Sequence, residues 1–180
     1  MLDDYILEKP VLQTERLVLR TMVKSDIASL KEWTSEKSLY KYWGKSAGKA
    51  DKNVELMFAK TEKASKSFHW GIEHKADKKI VGEVWVYLIE NNRMAKVAIR
   101  VSPFYASKGI ATEALKNVVK FCFEKTELKR LWIDVDVENV SSIKMLEKCG
   151  FVREGLIRQG KMVSTWCNYF LYGLLKTDLI

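Results

Sequence analysis

A chain of 180 residues with 47% hydrophobic side chains and two prolines has the composition of a globular domain, which excludes a disordered or low-complexity protein. No apolar run approaches the ~20 residues a membrane-spanning helix requires, and the opening Met1-Leu2-Asp3-Asp4 is acidic where a secretory signal is basic. A single domain over residues 1–180 with a cytoplasmic address is the expectation. The net charge of +8 favours acidic ligands such as phosphates, but the basic residues are dispersed among 23 acidic ones, which argues against specific nucleic-acid binding.

Along the chain, Arg16 to Met22 carries Leu17, Val18, Leu19 and Thr21 and predicts a first strand. Ser25 or Asp26 can cap a helix running to Glu36, with Ile27, Leu30 and Trp33 at helical spacing. The same period, through Val54, Met57, Phe58 and Thr61, predicts a second helix from Asp51 to Ala64. Between them Tyr40, Tyr42 and Trp43 form an aromatic cluster, either a hydrophobic staple at a helix end or the wall of a pocket. Three strands follow, Phe68 to Glu73, Ile80 to Ile89 and Met94 to Val101, with Asn91-Asn92 as the hairpin turn between the last two. Gly109 to Glu124 is predicted as a helix with Ala111, Leu115, Val118 and Cys122 on one face.

Leu131 to Val137 alternates strictly and, reached by a helical crossover, is expected to pair parallel to the strand before it. A helix from Ser141 to Lys148, stopped by Gly150, precedes two last strands, Phe151 to Ile157 and Val163 to Leu174. The order β-α-α-β-β-β-α-β-α-β-β describes an α/β mixed sheet with helices on its faces.

The turn from Ser102 to Ala111 joins a strand directly to the long helix, and such a joint aims unpaired N–H groups and the positive end of the helix dipole at whatever lies above it. A pyrophosphate fits there: Gly109 allows close backbone approach and Lys108 adds a cation, although a packing Gly beside a solvated Lys would read the same. The Gly-Lys-Ser/Thr ending of a nucleotide P-loop and the dinucleotide fingerprint are both missing. Cys122, Cys149 and Cys167 are odd in number and widely spaced, which fits neither disulfides nor a zinc knuckle. With His69 and His74 alone, no metal site is expected and a Cys–His nucleophile is disfavoured.

These segments resemble the GCN5-related N-acetyltransferases (GNAT), and within them the Rim-type branch that modifies protein N-termini. The stretch Leu12 to Arg20 looks like the branch's opening strand, and Gly82-Glu83 sits where its third strand has a similar pair. The loop pattern Gln/Arg-x-x-Gly-x-Gly/Ala is matched by Ala106-Ser107-Lys108-Gly109-Ile110-Ala111, followed by Thr112-Glu113-Ala114-Leu115. Glu138-Asn139-Val140-Ser141-Ser142, Leu146-Glu147-Lys148-Cys149-Gly150-Phe151 and Glu154-Gly155 follow the branch's later motifs in order and spacing.

The resemblance implies a mostly antiparallel sheet whose central parallel strands splay apart, with acetyl-CoA as cofactor. Its pantetheine arm would lie between the strands ending at Val101 and Val137, against backbone groups of Ile99 and Val101. Residues Ala106, Ser107, Lys108, Gly109, Ile110 and Ala111 would hold the pyrophosphate, Asn139 the arm's amide, and Ser142 would protonate the leaving sulfur. Asn139 and Ser141 would also serve as ordinary helix N-caps. The branch's Gln or Arg is Ala106 here, a common Glu is Lys96, and a common Asp is Asn168. The general base therefore falls to Glu154 or, second, Glu83, with Asp134 and Asp136 as further carboxylates.

The expected activity is direct transfer of acetyl to a primary amine, with a peptide or protein α-amine as the first choice of acceptor. A polyamine or drug amine is the alternative acceptor, and an acyl-CoA-binding module without catalysis, suggested by Lys96 and Asn168, is the rival of another class. Trp43, Trp85, Trp166 and Tyr172 are candidates for the acceptor pocket or for the core. Similar proteins often pair, which admits a homodimer.

Overall fold

The structure, a computed structural model, describes residues 9–42, 67–162 and 165–179, with Tyr5 and Val54. Strand β1 (Leu12–Gln13) and β2 (Leu17–Arg20) lead to α1 (Ile27–Thr34). Then come β3 (Phe68–His74), β4 (Lys79–Glu90) and β5 (Met94–Val101). Helix α2 (Ile110–Lys125) crosses over to β6 (Arg130–Asp136), and α3 (Val140–Lys148) precedes β7 (Val152–Met162) and β8 (Thr165–Leu175).

The eight strands form one sheet in the order β1-β2-β3-β4-β5-β6-β8-β7, antiparallel except where β5 meets β6. A parallel neighbour requires a crossover, and α2 supplies it. Alternation on β5 and β6 sends Ala95, Val97, Leu131, Ile133 and Val135 into one core with Ala114, Leu115, Val118 and Cys122 of α2. Helix α1 covers part of the opposite face, where Trp33 donates its indole N–H to the carbonyl of Ile80 at 2.9 Å. Among the described residues no helix is long and apolar enough to cross a membrane.

The opening segment differs from the single strand expected. It folds back on itself, pairing Leu12 with Leu19 and Gln13 with Val18, because the Thr14 hydroxyl accepts from the Leu17 N–H at 2.9 Å and closes a tight turn. The first helix has Asp26, one of the two residues expected to cap it, at its N-cap position and ends at Thr34, short of Glu36. The Asp26 carboxylate binds Arg20 and the Val23 N–H and makes no side-chain bond to the helix. Strand β7 runs beyond Ile157 to Met162, as an exposed edge strand with irregular register. The helix expected over 51–64, apart from the buried Val54, lies outside the described residues, as do Trp43 and the start of the last strand at Val163. Asn91 and Asn92 both adopt positive φ, 49° and 55°, as the hairpin turn requires. Gly150, at φ 88°, ends α3, with the Phe151 N–H returning to the Leu146 carbonyl at 3.1 Å.

Candidate active site

Pairing between β5 and β6 covers Met94 with Arg130, Ala95 with Leu131 and Lys96 with Trp132, and stops there. Beyond that rung β5 continues to Val101 against β4, and β6 continues to Asp136 against β8. Each strand therefore turns one backbone edge toward the gap. Ala98 and Ile99 border it on one side, Ile133 to Asp136 on the other, and Asn139, Ser142 and Met145 of α3 line it too. Tyr42, Tyr87, Lys96 and Met162 complete the cleft. Val101 ends β5 opposite Gly82, where a Cβ would lie 2.7 Å from the Arg100 carbonyl oxygen. The small residue before Glu83 thus lets β4 lie flat against the free-edged stretch of β5.

Past Val101 the chain turns through a buried Ser102, whose hydroxyl accepts from the Phe104 N–H at 3.3 Å. Ala106, Ser107, Lys108 and Gly109 are exposed, Ile110 is buried and Ala111 half-buried. Ser107 and Gly109 have φ of 60° and 78°, and Gly109 caps α2 with no side chain. The N–H groups of Ile110, Ala111 and Thr112 have no acceptor within the helix and point out of its positive end. This bare backbone concavity fits a diphosphate, and the two free strand edges beside it fit an amide-bearing arm. A diphosphate and an amide-bearing arm occur together in coenzyme A.

On α3, Asn139 is the N-cap: its Oδ1 accepts from the Ser142 N–H at 3.3 Å and from the Ser141 hydroxyl at 3.0 Å. The cap alternative therefore describes one atom of Asn139, while the same side chain also borders the cleft. Ser142, in the first turn and half-buried, shares that border. Of the aromatic cluster, Tyr40 is buried and donates to the Thr34 carbonyl at 2.6 Å, which is the staple-like role. Tyr42 lines the cleft and donates to the Glu138 carbonyl at 3.1 Å. Trp85 stacks on His69, Tyr172 lies in the core, and Trp166 is exposed on the last hairpin.

The carboxylates divide by location. Glu154 is not among the cleft residues; its carboxylate takes both Nη atoms of Arg130, with one contact of 2.6 Å, across Gly173 of β8. Arg130 holds its carboxyl below the ordinary range, which makes it a poor base. Glu83 is fully buried between Arg100 and His69, whose Nε2 lies 2.7 Å from Oε2. Asp134 and Asp136 do line the cleft. Asp134 accepts from Lys96 at 2.7 Å, and Asp136 accepts the Glu138 N–H at 2.8 Å. Asn168 accepts from the Gln159 N–H in the last hairpin.

Burial, with Asp134, pushes the Tyr87 hydroxyl up to about 12, so it stays a neutral donor. No cysteine is set up as a nucleophile: burial pushes the thiols of Cys122 and Cys149 up, and burial with Asp136 does the same for Cys167. Sequence reasoning missed Tyr87 in the cleft. Pairing the two strands flanking Asn91-Asn92 would have placed it opposite Lys96.

The sequence matches the family model described as an acetyltransferase (GNAT) domain over residues 16–152. A Bacillus subtilis protein, the uncharacterized N-acetyltransferase YoaA, is 27% identical over 154 residues, covering 83% of this chain and 87% of its own. The spermidine N(1)-acetyltransferase of Vibrio cholerae is 26% identical over 145 residues, 78% of this chain and 81% of its own. A GNAT-family acetyltransferase structure from Bacillus anthracis shares the fold with a TM-score of 0.83 at 21% identity, over 93% of this chain and 99% of that one. The chain belongs to the GNAT family and is an N-acetyltransferase that takes its acetyl group from acetyl-CoA.

Proposed function

We propose that the chain acetylates the α-amine of a peptide or protein, as the Rim-type branch does, by direct attack of the neutral amine in the cleft between β5 and β6. Acetyl-CoA supplies the activated acetyl as a thioester. The N–H groups and Lys108 of the segment from Ala106 to Ala111 hold its diphosphate, and the backbone edges of Ile99 and Val101, with Asn139, hold its arm. The Ser142 hydroxyl donates a proton to the departing sulfur.

The observation carrying the choice of acceptor is the state of the carboxylates. Glu154 is bound to Arg130, Glu83 to Arg100 and His69, and Asp134 to Lys96. An acceptor that loses its proton unaided suits such a site. An α-amine with pKa near 8 is about one-tenth neutral at pH 7, whereas a lysine side chain near 10.4 is neutral in about 0.04% of molecules, a difference of about 3 kcal/mol. Water carries the proton away. A polyamine acceptor is the second reading, supported by the relative that is a spermidine acetyltransferase.

The test compares a short peptide with a free N-terminus with the same peptide N-blocked and bearing one lysine, across pH 6 to 9. The expected result is faster acetylation of the free N-terminus, with kcat/KM rising and levelling off near pH 8. Faster reaction of the blocked peptide would show that the enzyme supplies a strong base and acts on lysine side chains.

A further inference from the structure

Lys96 and Asp134 project from the face of the sheet away from α2 and α3, on the two strands that part just beyond Lys96. The Lys96 ammonium lies 2.7 Å from Asp134 Oδ2, 4.8 Å from the centre of the Trp132 ring and 5.9 Å from that of Tyr87. Both charged side chains are mostly enclosed, 14% and 20% exposed, and both line the cleft. A carboxylate flanked by aromatic faces is the chemistry that recognises an ammonium ion. Here the ammonium it holds is the protein's own.

A transferable amine must be neutral when it attacks, so an ammonium that stays seated during transfer is a second, non-reacting charge on the acceptor. We propose that Lys96 is a specificity-determining residue: by filling the Asp134 seat from within, it excludes acceptors that carry a second ammonium, polyamines above all, and leaves the cleft to monoamines such as a peptide N-terminus. The inference rests on the cleft being the acceptor site. A second ammonium would meet the Lys96 charge at close range in a partly dry site, where like charges repel strongly. With Lys96 replaced by an uncharged chain of similar length, the same seat would attract it.

The experiment measures kcat/KM for thiol release from acetyl-CoA with spermidine and with 1-aminoheptane, a monoamine of similar length; turnover counts only complexes whose reacting amine is neutral at the thioester, so the monoamine brings no ammonium to the seat. Wild-type protein is expected to use spermidine no better than the monoamine. In Lys96→Met the kcat/KM for spermidine should rise by about tenfold or more while that for the monoamine moves by less than about threefold, and adding Asp134→Asn should cancel the gain. A tenfold preference of the wild type for spermidine would overturn the inference without recourse to any variant. So would a Lys96→Met protein whose spermidine-to-monoamine ratio is unmoved. A peptide with a free N-terminus, run in the same assay, separates the two levels. Transfer to a free N-terminus with an unmoved ratio overturns the Lys96 inference alone. Absence of transfer to any of the amines overturns the acceptor-site reading and this inference with it.

Discussion

Arg16, the residue before β2, grips Glu113 in the first turn of α2, with guanidinium contacts of 2.6 and 2.7 Å. The same guanidinium donates to the Lys108 carbonyl at 3.0 Å, and the Arg16 N–H donates to Glu113 at 3.1 Å. Two of the motifs that carry the family resemblance thus meet directly beneath the phosphate loop. An unpaired Glu113 beside that loop would repel a diphosphate, and Arg16 neutralises it. Arg16→Ala should weaken CoA affinity by roughly tenfold, while Arg16→Ala/Glu113→Gln should recover most of the loss; equilibrium titration with CoA decides it.

Glu113 also predicts a pH dependence. Burial pushes its carboxyl up, but hydrogen bonds from Thr14 and Arg16 and the Arg16 charge outweigh burial and hold it below its ordinary 4.5. A depressed folded-state value means the contribution is present above about pH 4.5 and is lost as pH falls through the folded value. Melting temperatures of Glu113→Gln should therefore fall less steeply than wild type between pH 5 and pH 3. Parallel acid limbs would show that the pair contributes nothing to stability.

Gly109, with φ of 78° at the head of α2, should not accept a β-branched residue. A Cβ there would also stand 3.4 Å from Arg16 Nη2. CoA at 100 times its Kd should stabilise the wild type by about 2.7 kcal/mol, read as a rise in melting temperature. Gly109→Val should remove that rise while the unliganded protein still melts cooperatively; an undiminished rise would place the diphosphate elsewhere.

Much of this site was legible because its signals are local. The strand-Gly-helix joint, the alternation of Leu131, Ile133 and Val135, and the helical period from Ala111 to Cys122 each occupy one contiguous segment, and the parallel pairing of β5 with β6 follows from the helix between them. What escaped depends on register between distant segments. Nothing near Glu154 announces Arg130, and nothing near Lys96 announces Asp134; both pairs form because the sheet order puts β5, β6, β8 and β7 side by side. The β1–β2 turn was hidden because Gln13-Thr14-Glu15-Arg16 holds no Gly, Pro or Asn to announce it; the Thr14 hydroxyl closes it instead. The far end of β7 was hidden because Arg158-Gln159-Gly160-Lys161 has no apolar residue, yet it still pairs with β8 as an edge.

Glu83 and Glu154, the two carboxylates expected as bases, should separate cleanly. Glu83→Gln removes a fully buried carboxylate bound to both Arg100 and His69 and should destabilise the protein by about 3–5 kcal/mol in urea. Glu154→Gln breaks a pair one-third exposed on its acidic side and should cost at most about 1 kcal/mol, with kcat per folded molecule unchanged. A large loss of kcat in Glu154→Gln without loss of stability would return that residue to catalysis.

The fate of the thioester tests acetyl transfer most directly. Release of CoA thiol should be measured with wild-type enzyme, acetyl-CoA and a peptide with a free N-terminus, then with Ser142→Ala. The wild type should release thiol in step with acetylated peptide, and Ser142→Ala should lower kcat by about 10² or more with CoA affinity nearly unchanged, more than the ~1 kcal/mol a helix-cap contact explains. Thiol release no faster than without amine, in a protein that CoA nonetheless stabilises, would contradict the account and leave an acyl-CoA-binding module in its place.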